Sequence, residues 1–161
     1  MKTATNLWLP RWISIAVAVG LLISVAPSVL ATPPSGLTPT ILASVNLTEP
    51  ALLKLKQADG FGEPRDVADI LTAKFEVAPG GTFGWHRHSG PVVVAVVEGT
   101  LTLVMADGCM EHQYSAGQGF IESGRAVHTA FNAGATKVVL YATFLLPDGG
   151  APRIDQPGSA C

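Results

Sequence analysis

Residues 79–88 read Pro-Gly-Gly-Thr-Phe-Gly-Trp-His-Arg-His, and residues 117–132 read Gly-Gln-Gly-Phe-Ile-Glu-Ser-Gly-Arg-Ala-Val-His-Thr-Ala-Phe-Asn. The first stretch is a glycine-rich entry into an HxH pair, His86 and His88. In extended chain, residues i and i+2 project to one face, so both imidazoles can address a single ion. His128 follows forty residues on, inside the apolar run 127–131. A helix would spread an HxH pair across two faces, so this spacing is informative only if the surrounding chain is strand.

Outward from these stretches the chain is a series of short strands. Residues 70–77 (ILTAKFEV) alternate apolar and polar and are stopped by Pro79-Gly80-Gly81. Residues 92–97 are nearly continuous β-branched side chains, which predicts a strand buried on both faces. Glu98-Gly99 turns the chain into 101–105, and Asp107-Gly108 turns it again into 109–115. Residues 120–121, 127–131 and 137–146 supply further strands, and 41–47 and 52–56 precede them. Only 65–71 has any helical character. Strands at roughly ten-residue spacing predict an all-β sandwich or barrel, not βαβ units.

The two stretches resemble the paired motifs of the cupin superfamily. The first motif, Gly-x5-His-x-His-x3-Glu-x6-Gly, is matched by Gly80, His86, His88 and Gly99, with Val92 where the family has glutamate. The second, Gly-x5-Pro-x-Gly-x2-His-x3-Asn, is matched by Gly117, His128 and Asn132, with Ser123 and Arg125 at the proline and second glycine. The resemblance implies a double-stranded β-helix (jelly-roll barrel) and a divalent metal held by His86, His88 and His128. Position 92 is then a vacant ligand position, because valine cannot coordinate.

Other side chains were weighed for that fourth place. Glu98 lies six residues past Val92, about 20 Å along a strand, and cannot reach. A turn at 123–126 could fold Glu122 back beside His128, but a surface carboxylate is the expectation. His112, in a polar run, is expected to be solvated, Arg87 to face away from the metal, and Arg125 to be a solvated loop charge. Phe83, Trp85, Phe120, Phe131, Tyr141 and Phe144 either line a pocket or form core. Three neutral imidazoles leave the ion its full +2 and suit Fe, Zn, Cu, Ni or Mn.

The N-terminus carries Lys2 and Arg11, then fourteen mostly apolar residues, 13–26, and Val29-Leu30-Ala31. This is the pattern of a signal peptide (1–31) cleaved after Ala31, and fourteen helical residues, about 21 Å, fall short of spanning a bilayer. The expected products are a spacer at 32–36 and one domain at 37–161, exported to the periplasm or the exterior, with no stable membrane anchor. Loss of Lys2 and Arg11 leaves eight basic against twelve acidic residues. In an oxidising compartment Cys109 and Cys161 are expected to pair; the alternative is two free thiols.

With charged residues at 14% and a net charge of −2, electrostatic binding of nucleic acid or an anionic membrane is not expected. The partner expected is a small molecule, and the cupin resemblance adds a homodimer. The functional expectation is a metallo-cupin acting on a small anionic or oxygen-rich molecule. If it is an enzyme, the resemblance implies a dioxygenase-like oxidoreductase, its three histidines similar to those of thiol dioxygenases, or an isomerase. The alternative is a non-catalytic ligand- or metal-binding module.

Overall fold

A computed structural model describes residues 31–57, 60–61 and 65–161. The segment 1–30, which holds nearly all of the expected signal peptide, lies outside the described residues. Twelve strands follow one another among those described: β1 (Ser35–Leu53), β2 (Lys56–Gln57), β3 (Gly60–Phe61), β4 (Arg65–Thr82), β5 (His86–Arg87), β6 (Val92–Glu98), β7 (Thr100–Met105), β8 (Glu111–Ser115), β9 (Gly119–Glu122), β10 (His128–Phe131), β11 (Val138–Leu146) and β12 (Ile154–Asp155).

All pairings are antiparallel. One face of the barrel runs β1-β4-β11-β6-β9 and the other β12-β5-β10-β7-β8. The two are stitched at a corner where Phe131 of β10 pairs with Thr82, the last residue of β4. The fold is therefore the jelly-roll barrel expected from the sequence. Residues 65–71, given helical character above, instead open the long strand β4, because they pair with 51–53 and 44–46 of β1 and with 144–146 of β11.

The core sits between the two faces and is built by every second residue. On β6, Val92, Val94 and Val96 are buried whereas Val93 and Val97 are 42% and 50% exposed. The strand is thus half-buried among the described residues, not covered on both faces, and the outward Val93 and Val97 fit the preference of β-branched residues for strands. Val77, Leu101, Leu103, Ala130, Val138, Leu140 and Phe144 complete the interior. Each fully buried Val or Leu contributes about 1.5–3 kcal/mol through removal from water.

The stretch 32–36 is not a free spacer. Trp85 N donates to Thr32 Oγ1 at 2.8 Å, and β1 already begins at Ser35, opposite Thr82. Gly84 makes this docking possible: with φ +67°, its absent side chain leaves room for Thr32 O, which a Cβ would meet at 2.0 Å. At the opposite end, Cys109 and Cys161 form a disulfide. It pins the tail after β11 across the barrel, where Ile154 and Asp155 pair with Arg87 and His86.

Candidate metal centre

His86 lies on β5, His88 just beyond it and His128 opens β10, with His128 and His86 in direct register across the ladder. All three are at most 5% exposed. Their ring centroids are 4.4 Å (His86–His128), 4.8 Å (His86–His88) and 5.1 Å (His88–His128) apart. One ligand nitrogen from each lies within 4.8 Å of the others.

The backbone sets the tautomer. His86 Nδ1 bonds Gly84 O at 2.8 Å, His128 Nδ1 bonds Ala126 O at 3.0 Å, and His88 Nδ1 bonds Pro152 O at 2.5 Å. A carbonyl only accepts, so each Nδ1 carries a proton and each Nε2 is the nitrogen left facing inward. Such outer hydrogen bonds orient metal-ligating imidazoles. Burial, with His128 beside it, pushes the His86 imidazole down to about 3, so it is neutral at physiological pH.

Glu122 overturns one expectation. Its side chain is 11% exposed, with Oε2 2.9 Å from His88 Nε2 and Oε1 3.1 Å from His128 Nε2. The reason is strand parity. β9 runs one residue beyond 120–121, so Glu122 shares the inward face of Phe120 while Ile121 points out. Glu122 is also the register partner of Val92. Directly paired residues share a face with Cβ atoms about 5 Å apart, so the carboxylate absent at 92 is supplied from across the ladder. Burial would raise the Glu122 carboxyl, but the imidazoles of His128 and His88 outweigh it and hold it at about 2. Burial likewise lowers His128, yet the Glu122 carboxylate raises it above its ordinary value.

The three histidines form a group able to hold a divalent ion, and the Glu122 carboxylate lies against two of them. His128 Nε2 is buried and, despite its closeness to Glu122, lacks a hydrogen bond of acceptable geometry, as a nitrogen aimed at a common point does. Three imidazole nitrogens and a carboxylate suit first-row divalent metals. With Glu122 included, the net charge of a loaded site is +1, not the +2 expected from histidines alone. Val92 itself is buried and lines the same cavity.

The cavity measures about 470 Å³ and opens near β1, whose Leu37, Pro39 and Ile41 form part of its wall. Phe83, Phe120 and Phe144 line it, whereas Trp85 and Phe131 pack elsewhere and Tyr141 sits on the outer face of β11. Arg87 and Arg125 are not among the lining residues, Arg125 being exposed. His112 is exposed on β8, and Glu98 is exposed beside Lys137. Arg153, which sequence reasoning passed over, does line the cavity.

The remaining motif residues are structural. Buried Asn132 donates through Nδ2 to Val77 O and Thr136 O and accepts from Gly134 N, organising the turn before β11. Gly80 N donates to Asn132 O, joining the two motifs. The second motif's glycine is displaced by one position: Gly124, not residue 125, takes the left-handed conformation at φ +94°, and a Cβ there would meet Gly90 O at 2.5 Å. Gly99 and Gly117 also have positive φ.

Residues 73–144 match the cupin domain family. The β-alanine degradation protein BauB of Pseudomonas aeruginosa is 34% identical over 79 residues, 48% of this chain and 83% of that protein. Among solved structures, the polyketide cyclase RemF of Streptomyces resistomycificus superposes with a TM-score of 0.54 at 17% identity, covering 82% of this chain and 80% of that one. A cupin domain from Bordetella pertussis Tohama I gives 0.49 at 22% identity, covering 72% and 98%. With the family match at 73–144 and a relative 34% identical of which it covers 83%, the chain belongs to the cupin family.

Proposed function

We propose that the protein is an exported metallo-cupin that binds one divalent transition metal through Nε2 of His86, His88 and His128 and the carboxylate of Glu122, and acts there on a small anionic or oxygen-rich molecule. The observation that carries this is the convergence of three Nδ1-fixed imidazoles and a buried carboxylate at the floor of one apolar cavity. When bound, the ion would supply Lewis-acid or redox chemistry of the kind used by dioxygenase-type oxidoreductases and isomerases.

The chain's own contributions follow from position. The apolar walls exclude water and strengthen electrostatic contacts with a bound molecule. The backbone carbonyls of Gly84, Ala126 and Pro152 hold the rings in place. With the imidazole lone pairs committed to an ion and Arg153 permanently charged, Glu122 is the lining group that could accept a proton once displaced from the histidines. That sparse set favours a second reading, a binding module without turnover. Export is supported by the Cys109–Cys161 disulfide, which forms in oxidising compartments.

The test is metal analysis of protein purified from the periplasm or medium, followed by oxygen-uptake assays on the loaded protein with a panel of small acids. About one transition metal per chain is expected. Turnover with oxygen consumption supports the oxidoreductase, turnover without it the isomerase, and stoichiometric metal without turnover the binding module. Absence of metal after incubation with each candidate ion would overturn all three.

A further inference from the structure

Arg153 enters the cavity from the tail beyond β11. Its Nε donates to Asp155 Oδ1 at 2.6 Å, which fixes the plane of the guanidinium. Its Nη2 is buried and without a hydrogen-bond partner. An arginine cannot shed its charge, so a buried donor of this kind is costly unless something occupies the space it faces. The tail is held rigidly: Ile154 and Asp155 pair with β5, Gln156 N donates to Trp85 O at 3.0 Å, and Ser89 N donates to Ala151 O. Arg153 is thus a fixed cation on the wall of a pocket whose floor is the imidazole cluster.

The rest of the lining narrows the ligand. Leu71, Phe75, Phe83, Phe120 and Phe144 present hydrocarbon and aromatic surface. Glu122, the carboxylate of the lining, is engaged by His88 and His128 and offers no anchor for an ammonium group. Arg153 is the cation of the lining outside the imidazoles, which suits one anionic head and not two. We infer that Arg153 is a carboxylate-anchoring residue and that the pocket takes apolar monocarboxylates, a planar head on the guanidinium and a hydrocarbon or aromatic body against the phenylalanines. This rests on the pocket assigned above as the functional site and gives it a substrate class.

A bound metal would itself attract carboxylates, so the experiment separates the two contributions. Calorimetric titrations with hexanoate, hexanamide and acetate are run on metal-free and metal-loaded protein, for the parent, Arg153→Met and Arg153→Lys, with circular dichroism to confirm folding. In the metal-free parent, hexanoate is expected to bind about tenfold more tightly than hexanamide, and more tightly than acetate. Arg153→Met should abolish the preference for hexanoate over hexanamide, and Arg153→Lys should keep most of it. Equal binding of hexanoate and hexanamide by the metal-free parent overturns the inference. So does a preference that survives in Arg153→Met, or that is lost in a folded Arg153→Lys to the same extent as in Met. Acetate binding as tightly as hexanoate overturns the apolar part. Failure of metal to load counts against the metallo-cupin reading alone, because the metal-free titrations still report on Arg153.

Discussion

Exchanging the residues at 92 and 122 probes the centre most sharply. Val92 and Glu122 are register partners on neighbouring strands and both line the cavity. Glu122→Val removes one of four donors and raises the net charge of the loaded site from +1 to +2. A charge-assisted contact of about 1.5–3 kcal/mol corresponds to metal binding weakened roughly 100-fold. At an ion concentration 100 times the parent's dissociation constant, binding stabilises the parent by about 2.7 kcal/mol. The variant, then near half-saturation, gains only about 0.4 kcal/mol. For a domain of this size the difference is about 10 °C in the metal-induced shift of Tm. The shift, not absolute Tm, is the quantity to compare, because losing Glu122 also leaves His88 and His128 without their carboxylate neighbour. The double variant Val92→Glu/Glu122→Val returns a carboxylate to the same face and should recover most of the shift. Thermal melts with and without Zn²⁺ or Co²⁺ measure all three proteins. A parental shift in Glu122→Val, or no recovery in the exchange variant, refutes the assignment.

Three further outcomes follow. Burial holds the His86 imidazole well below its ordinary value of 6.5, so the metal-free folded state resists a proton that the unfolded chain accepts. The His86 contribution is therefore lost as pH falls from 6.5 toward 3, while His128, raised by Glu122, adds stability at low pH that is lost as pH rises. The larger His86 shift decides the sign, so the urea midpoint of metal-free protein should be lower at pH 4.5 than at pH 7, and equal midpoints would contradict this. Glu122, whose folded value is also depressed, adds to the loss below about 4.5. Cys161→Ser opens a loop spanning 52 positions and should cost about 4 kcal/mol in the chain-entropy account. Because His88 leans on Pro152 O in the same tail, metal affinity should fall as well, and a variant with unchanged stability and affinity would show the bridge to be dispensable. Mass spectrometry of secreted protein should find Thr32 at the N-terminus, whereas an intact Met1 would rule out cleavage after Ala31.

Much of this was legible in the residues. The strand spacing predicts a sandwich or barrel, and the resemblance of the two histidine-bearing stretches to cupin motifs implies the jelly roll and a metal site at His86, His88 and His128. What escaped reading depended on pairing that sequence does not display. For Glu122 the sequence offers a surface carboxylate or a turn at 123–126 folding it back beside His128; the structure brings it to His128 by extending the strand 120–121 one residue, to the inward face of Phe120. The alternation Phe120, Glu122 was the available signal. That Val92 and Glu122 share one point in the cavity is a property of the β6–β9 register, set by turns far from either residue. Arg153 had no signal, since it sits in a Pro/Gly-rich tail whose course is fixed by two residue pairs and a disulfide. The run 92–97 misled because β-branched residues favour strands whether or not both faces are covered.

The central claim is that three histidines and a carboxylate from the partner strand hold one ion. Anomalous diffraction from crystals of protein loaded with Zn²⁺ tests it most directly. The account predicts a single strong peak at about 2.0–2.2 Å from Nε2 of His86, His88 and His128 and from a carboxylate oxygen of Glu122. An empty cluster at saturating Zn²⁺, or a peak coordinated without Glu122, would contradict it.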